Sequence, residues 1–189
     1  MRKIVLFMFT TLDGFIAGPN GELDDFEPAE ESKFANEFFA SADGIVFGRK
    51  NYEGFVSYWD ALDLTDESIT KTDIEFAKLF RKMTRVVISR TLDKVGSHTI
   101  VIKDNIAAEI LRLKQQPGRN LALICGPDRL STLVEFGLVD EYRLLVKPRV
   151  AGRGKTLFGN ITQNLNLKLL STKVLESGVV MYHYQSAED

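Results

Sequence analysis

Three short segments place phosphate-holding residue types directly after apolar runs. Gly48-Arg49-Lys50-Asn51 follows Ile45-Val46-Phe47, Ser89-Arg90-Thr91 follows Val86-Val87-Ile88, and Gly126-Pro127-Asp128-Arg129-Leu130 follows Leu121 to Cys125. A short unbroken apolar run such as Leu121 to Cys125 suits a strand buried on both faces. A helix starting where such a strand ends aims unpaired N–H groups at a crevice in which an anion can sit. The third segment shows this most clearly. Leu130, Leu133 and Val134 have helical spacing, Asp128 stands where it could cap the helix, and Gly137 stands where it would end. Arg49 and Lys50 add two cations at a second such point. Solvated residues of a first helical turn explain that pair equally well.

Other chemistry-bearing residues have two readings each. Asp13 precedes Gly14, so it either meets a substrate or caps the Asp-Gly turn. Trp59 and Tyr58 either wall a cleft or pack in the core. Gly154-Lys155-Thr156 resembles the end of a phosphate-binding loop, but that motif requires glycine at 149, where this chain has Arg149. Asn160-Ile161-Thr162 has the form of a glycosylation sequon. Cys125 is the single cysteine, and His98 and His183 have no partner at metal-ligand spacing. Neither a disulfide nor a zinc cluster is expected, and no metal is assigned.

The elements that must position these residues alternate between strand and helix. The spacing predicts strand Ile4 to Phe9, a loop through Asp13-Gly14 and Pro19-Asn20-Gly21, and a helix from about Ala29 to Ser41. Strand Gly44 to Phe47, a helix beginning near Asn51 and a charged excursion from Asp60 to Thr72 come next. Helix Ile74 to Lys82, strands Arg85 to Ser89 and Thr99 to Ile102, and helix Ile106 to Gln115 follow. After the Leu121 strand and its helix come strand Glu141 to Val146 and a pair, Lys168 to Leu175 with Val179 to Tyr184. A Ser177-Gly178 turn joins that pair, and so short a turn can only join antiparallel strands. The sheet is therefore expected to be mixed. With 189 residues and 44% hydrophobic content, one domain over 1–189 is the natural reading. A net charge of −2 gives no general reason to bind nucleic acid or a membrane surface. Arg2-Lys3 and the apolar run to Phe9 are too short for a signal peptide, so a cytoplasmic location is expected.

Four segments carry a resemblance: Thr11-Leu12-Asp13-Gly14-Phe15-Ile16-Ala17, Gly48 to Glu53, Val87-Ile88-Ser89-Arg90-Thr91-Leu92, and Leu121 to Gly159. In order and spacing they are similar to the dihydrofolate reductase-like fold, and within it to the reductase domain of the riboflavin-pathway deaminase-reductase. The resemblance implies an α/β three-layer fold, with a mixed, mainly parallel sheet, helices on both faces and a C-terminal hairpin. It also implies an NADPH-dependent reductase acting on a small heterocyclic or sugar-linked substrate, as a homodimer. The implied cofactor contacts are Ile16, Ala17, Gly48, Arg49, Lys50, Asn51, Ser89, Arg90, Thr91 and the run Cys125, Gly126, Pro127, Asp128, Arg129, Leu130. A fixed cation near the adenosine favours a 2′-phosphate over a bare ribose. Leu12, Phe15, Ile16 and Ala17 would form a lid over the nicotinamide, with Gly14, Gly18 and Gly21 at its turns.

Asp13 and Trp59 are the implied substrate contacts, and Asp13 and Glu31 the implied catalytic groups. Glu30 and Glu31 fall where a folate reductase keeps its acid, although first-turn acids also simply complement a helix dipole. Related reductases have a cis Gly-Gly peptide where this chain has Gly126-Pro127. Proline lowers the cost of cis from about 3 to about 1 kcal/mol, so cis is one expectation and an ordinary trans proline at a helix start the other. Two departures stand out: no zinc deaminase domain accompanies the reductase segments, and Cys125 replaces a substrate-facing Glu. A dihydrofolate or pterin reductase and a non-catalytic nucleotide-binding protein are the alternatives.

Overall fold

The computed structural model describes residues 1–23 and 32–187. Strand β1 (Ile4–Thr11) lies inside the sheet, parallel to β6 (Asn120–Ile124) on one side and β7 (Glu141–Lys147) on the other. Beyond β6 come β3 (Ala42–Gly48), β4 (Thr84–Ile88) and β5 (Thr99–Ile102), all parallel. Beyond β7 come β10 (Val180–Ser186) and β9 (Leu167–Val174), paired antiparallel. The eight-stranded order is β5-β4-β3-β6-β1-β7-β10-β9. The sheet is mixed and mainly parallel, as the apolar runs and the Ser177-Gly178 turn predict.

Alternate residues along each buried strand feed opposite cores. Ile4, Leu6, Val46, Leu121 and Leu123 pack toward α4 (Ile106–Gln115) and α5 (Pro127–Glu135), meeting Ile110, Leu113, Leu130 and Leu133. Val5, Phe7, Ile45, Phe47, Ala122 and Ile124 face the other way, toward α1 (Ser32–Ala40) and α3 (Lys71–Phe80). Phenylalanine dominates that second layer: Phe7 stacks on Phe38 at 4.4 Å, Phe39 and Phe55 meet Phe76 edge to face, and Phe80 stacks on Phe76. Helices on both faces of the sheet give three layers.

Helix α3 begins at Lys71 rather than Ile74, because Thr70 and Asp73 cap each other. The Asp73 amide donates to the Thr70 hydroxyl at 3.1 Å, and that hydroxyl donates to the Asp73 carboxylate at 2.7 Å. Helix α2 (Arg49–Phe55) runs into a π-helical turn, Val56–Asp60. Two arginines hold the chain after it. Arg81 donates to the carbonyls of Trp59, Asp60 and Leu62, while the buried Arg85 grips the Asp60 carboxylate with two bonds of 2.7 and 2.8 Å. The stretch read as a charged excursion is therefore clamped at its start.

At α5 the structure corrects two expectations. The Gly126–Pro127 peptide is trans. Gly126 is the N-cap in extended conformation and Pro127 occupies the first helical turn, where its fixed φ is already helical and no N–H is needed. A cis bond is not required to start this helix. Asp128 consequently lies inside the first turn and does not cap it. At the other end Gly137 has φ +62, and the Gly137 and Leu138 amides donate back to Val134 and Leu133, closing the helix as its glycine predicts.

A small second sheet, β2 (Phe15–Ala17) against β8 (Lys155–Thr156), was not expected. It joins the loop after β1 to the glycine corner after β7. Gly154 permits the approach: its φ is +144, and a Cβ there would lie 2.2 Å from the Ala17 carbonyl oxygen.

Candidate functional site

The parallel strands all end at one edge of the sheet, and the three phosphate-suited segments end there together. Gly48 closes β3, Ser89-Arg90-Thr91 follows β4, and Gly126-Pro127 follows β6. Gly48 lies against the stem of Arg129, since a Cβ at 48 would stand 3.3 Å from the Arg129 Cγ. Arg49 donates through Nη1 to the Thr91 hydroxyl at 2.7 Å and pairs with Glu53 at 2.8 Å. The Thr91 amide in turn donates to the Ser89 hydroxyl at 3.3 Å. Arg49 therefore ties the start of α2 to the loop after β4, beyond a purely solvated role.

Between the ends of β4 and β5 lies a cleft of about 520 Å³, lined by Ile88, Ser89, Arg90, Lys103, Asn105 to Ala108, Arg129 and Phe136 among others. Three cations, Arg90, Lys103 and Arg129, look into it, against one acid, Asp104. Lys103 pairs at 2.7 Å with Asp93, both well exposed, whereas Arg90 and Arg129 make no ion pair among the described residues. Helix α4 also starts at this cleft. Its N-cap, Asn105, is left-handed at φ 51 and makes no side-chain cap, so first-turn amides are left for a ligand or solvent. A cleft with excess positive charge, a buried hydroxyl and open helix amides is suited to a phosphate-bearing ligand.

Sequence reasoning gave α4 its bounds but assigned neither Lys103 nor the helix start to the site. The signal was present, because Lys103-Asp104-Asn105 stands between an apolar strand and a helix, as Gly48-Arg49-Lys50 does. Of the expected cofactor contacts, Ser89, Arg90 and Arg129 line the cleft, while Gly48, Arg49 and Thr91 adjoin it. Lys50 and Asn51 lie in the first turn of α2, with Lys50 exposed. Gly126 and Pro127 are half-buried at the start of α5. Leu130 is wholly buried and packs in the core.

Cys125 is also wholly buried in that core. Burial pushes its thiol up to about 12, with Arg129 pulling weakly the other way. It is neither a nucleophile nor a polar contact at neutral pH. Asp128 accepts a 2.5 Å bond from the Asn160 side chain and fastens α5 to the loop after β8.

The remaining expected residues are scattered. Trp59 packs edge to face on Phe76 at 4.6 Å, on the phenylalanine side of the sheet. Glu30 and Glu31 lie outside the described residues. Asp13 stands at the end of β1, held by the Thr11 hydroxyl at 2.6 Å and the Ala151 and Gly152 amides at 3.0 and 2.8 Å. The Thr11 hydroxyl foremost, with those amides, holds its carboxyl down to about 2. At neutral pH this group is a carboxylate with no proton to give. Ile16 and Ala17, on β2, are buried beside it.

Comparison with known proteins agrees with this architecture. A Bacillus subtilis protein, YyaP, of uncharacterized role, is 37% identical over 185 residues, covering 97% of this chain and 95% of its own. A crystal structure of a Shewanella protein assigned to riboflavin biosynthesis superposes with a TM-score of 0.73 at 21% identity, each chain covered in full. Dihydrofolate reductase from Enterococcus faecalis, solved with NADP(H), gives 0.65 at 16% identity, covering 98% of this chain and 97% of its own. The fold is thus dihydrofolate reductase-like. The model of the RibD C-terminal domain matches residues 2–181, and the chain belongs to that family.

Proposed function

We propose that this protein is an NADPH-dependent reductase, with residues 1–189 acting as one domain, and that the cleft between β4 and β5 takes the adenosine phosphate of the cofactor. Ser89, Arg90, Lys103 and Arg129 would hold that phosphate, and the first turn of α5 at Gly126-Pro127 would hold the pyrophosphate. From β4 to β1 the sheet spans three strand spacings, about 14 Å, room for an extended dinucleotide to reach the loop Leu12–Ala17. When bound, the nicotinamide supplies a hydride. The chain's own residues orient the partners and exclude water.

Reduction of a C=N or C=O carbon in a small heterocyclic or sugar-linked compound, in the manner of a 5-amino-6-(5-phosphoribosylamino)uracil reductase, is the activity that family membership supports. The Enterococcus reductase, solved with NADP(H) on the same fold, supports the cofactor. Among the described residues no helix is long and apolar enough to cross a membrane. A cytoplasmic location is part of the reading. So is a homodimer, supported by Leu169, Leu170 and Val174, which leave apolar surface on the edge strand β9.

The single observation carrying the reading is the cleft with Arg90 and Arg129, which make no ion pair among the described residues. Calorimetry with NADPH and NADH tests it. NADPH should bind more tightly, and Arg90→Ala should weaken NADPH by about tenfold, the effect of one charge-assisted hydrogen bond, while sparing NADH. If neither dinucleotide binds, the proposal fails. Tight binding without NADPH consumption across candidate substrates would point to the non-catalytic alternative.

A further inference from the structure

We propose that Asp13 is a positioning residue, which locks the loop after β1 to the glycine corner after β7 so that the two form one flap over the nicotinamide end of the site. The inference rests on the cofactor reading above. Its geometry comes from four sets of contacts. The Asp13 carboxylate accepts from Thr11 on its own loop and from the Ala151 and Gly152 amides, 138 and 139 residues along the chain. On either side of it, the Leu12 amide donates to the Arg149 carbonyl at 2.8 Å and the Leu157 amide to the Gly14 carbonyl at 3.0 Å. Phe15 and Ala17 pair with Thr156 and Lys155. The Thr11 hydroxyl that donates to Asp13 also accepts from the Phe15 amide at 3.0 Å, so one residue fixes both the carboxylate and the start of β2.

Asp13 ties these two segments through its charge. The Leu12–Arg149, Gly14–Leu157 and β2–β8 ties are backbone to backbone and require the segments to be already aligned. The carboxylate meets two consecutive amides in a corner where Gly152 is left-handed at φ +72, an anion-binding concavity filled from within the chain. Both oxygens are engaged inside the protein. Three of the carboxylate's acceptor positions are taken by this corner, two on Oδ1 and one on Oδ2. In this proposal Asp13 acts on the cofactor end by holding the strand that carries Ile16 and Ala17 against the glycine corner.

The test separates the two ends of the site. Binding of NADPH and of 2′,5′-ADP, which carries only the adenosine end, is measured for the wild type, Asp13→Asn, Thr11→Val and Thr11→Ser. Asp13→Asn keeps the shape but sets an NH2 group against a backbone donor. NADPH affinity should fall by about tenfold in Asp13→Asn and Thr11→Val, that of 2′,5′-ADP should stay within about twofold, and Thr11→Ser should stay near wild type. Equal losses for both ligands, or none, would overturn the positioning role.

Amide hydrogen exchange of the ligand-free protein is the second readout. In Asp13→Asn, residues 12–17 and 149–157 should become labile together, and a change confined to one segment would overturn the coupling. Wild-type protein that binds neither ligand would sink the cofactor reading instead, while the exchange result would still decide whether Asp13 joins the two segments.

Discussion

Replacing Lys114 by Met tests whether the ion pair beneath the sheet holds the amino edge together. The Lys114 side chain is 4% exposed, and its Nζ lies 2.8 and 2.7 Å from the two Asp140 carboxylate oxygens and 3.4 Å from the Leu138 carbonyl. Asp140 also accepts from the Ile4 amide at 2.7 Å, so the pair joins the end of α4 to the start of β1. Methionine keeps most of the stem's volume and removes the charge together with its hydrogen bonds to Asp140 and Leu138. Stranding one partner of a buried pair costs about 3–5 kcal/mol. Asp140 is 29% exposed, and water would recover part of its solvation, which brings the expected loss to about 2–3 kcal/mol.

For a chain of this length each kcal/mol shifts Tm by about 2–4 °C, so Lys114→Met should melt about 5–10 °C lower at fixed protein concentration. The double variant Lys114→Met/Asp140→Asn removes the stranded charge. It should be at least about 1 kcal/mol more stable than the sum of the single losses. Urea unfolding followed by circular dichroism measures all three variants. A Lys114→Met protein within about 0.5 kcal/mol of wild type, or strict additivity in the double variant, would refute the reasoning.

Two other outcomes follow from protonation states. The Cys125 thiol, buried and pushed up to about 12, should not react with a disulfide reagent at pH 8 in the folded protein and should react with full stoichiometry in denaturant. Rapid labelling of native protein would contradict its burial. The Asp13 carboxyl is lowered from 3.8 to about 2 on folding, so its contribution is complete above about pH 5 and is lost as the pH falls through 4 toward 2. The stability gap between wild type and Asp13→Asn should accordingly be flat above pH 5 and close below pH 4, as read by denaturant midpoints. A gap unchanged down to pH 2 would show that the carboxylate is not held by its three donors.

The sheet was legible because buried parallel strands write themselves as short apolar runs, and the helices between them have their own period. The local features that escaped have no period to read. Strands β2 and β8 are three and two residues long, too short for any alternation, and their pairing depends on a glycine at 154 that sequence reading assigned only to a corner. Both isomers of Gly126-Pro127 were open because proline makes either affordable. The tertiary requirement was only a helix start, which trans satisfies. Asp13 had two local readings, substrate contact and turn cap, and neither named the amides it meets, because those lie more than a hundred residues away.

Strand direction sorts the charges in a way the sequence could have used further. Cations just before or at the start of a parallel strand are tied into the amino edge: Arg2 pairs with Asp43, Lys3 with Glu141, Lys114 with Asp140 and Arg85 with Asp60. Arg49, Arg90 and Lys103 come just after strands β3, β4 and β5, and all three stand at the opposite edge, beside or inside the cleft. Arg85 is the second residue of β4 and Arg90 stands two residues past its end, yet one is a buried clamp and the other faces the cleft. The difference is which end of the strand each occupies, because only the carboxyl ends open onto the crevice where successive connections diverge. A cation written after an apolar run in a parallel sheet is a ligand candidate, and one written before it is a structural tie. Lys103 meets the first description as fully as Arg90 does.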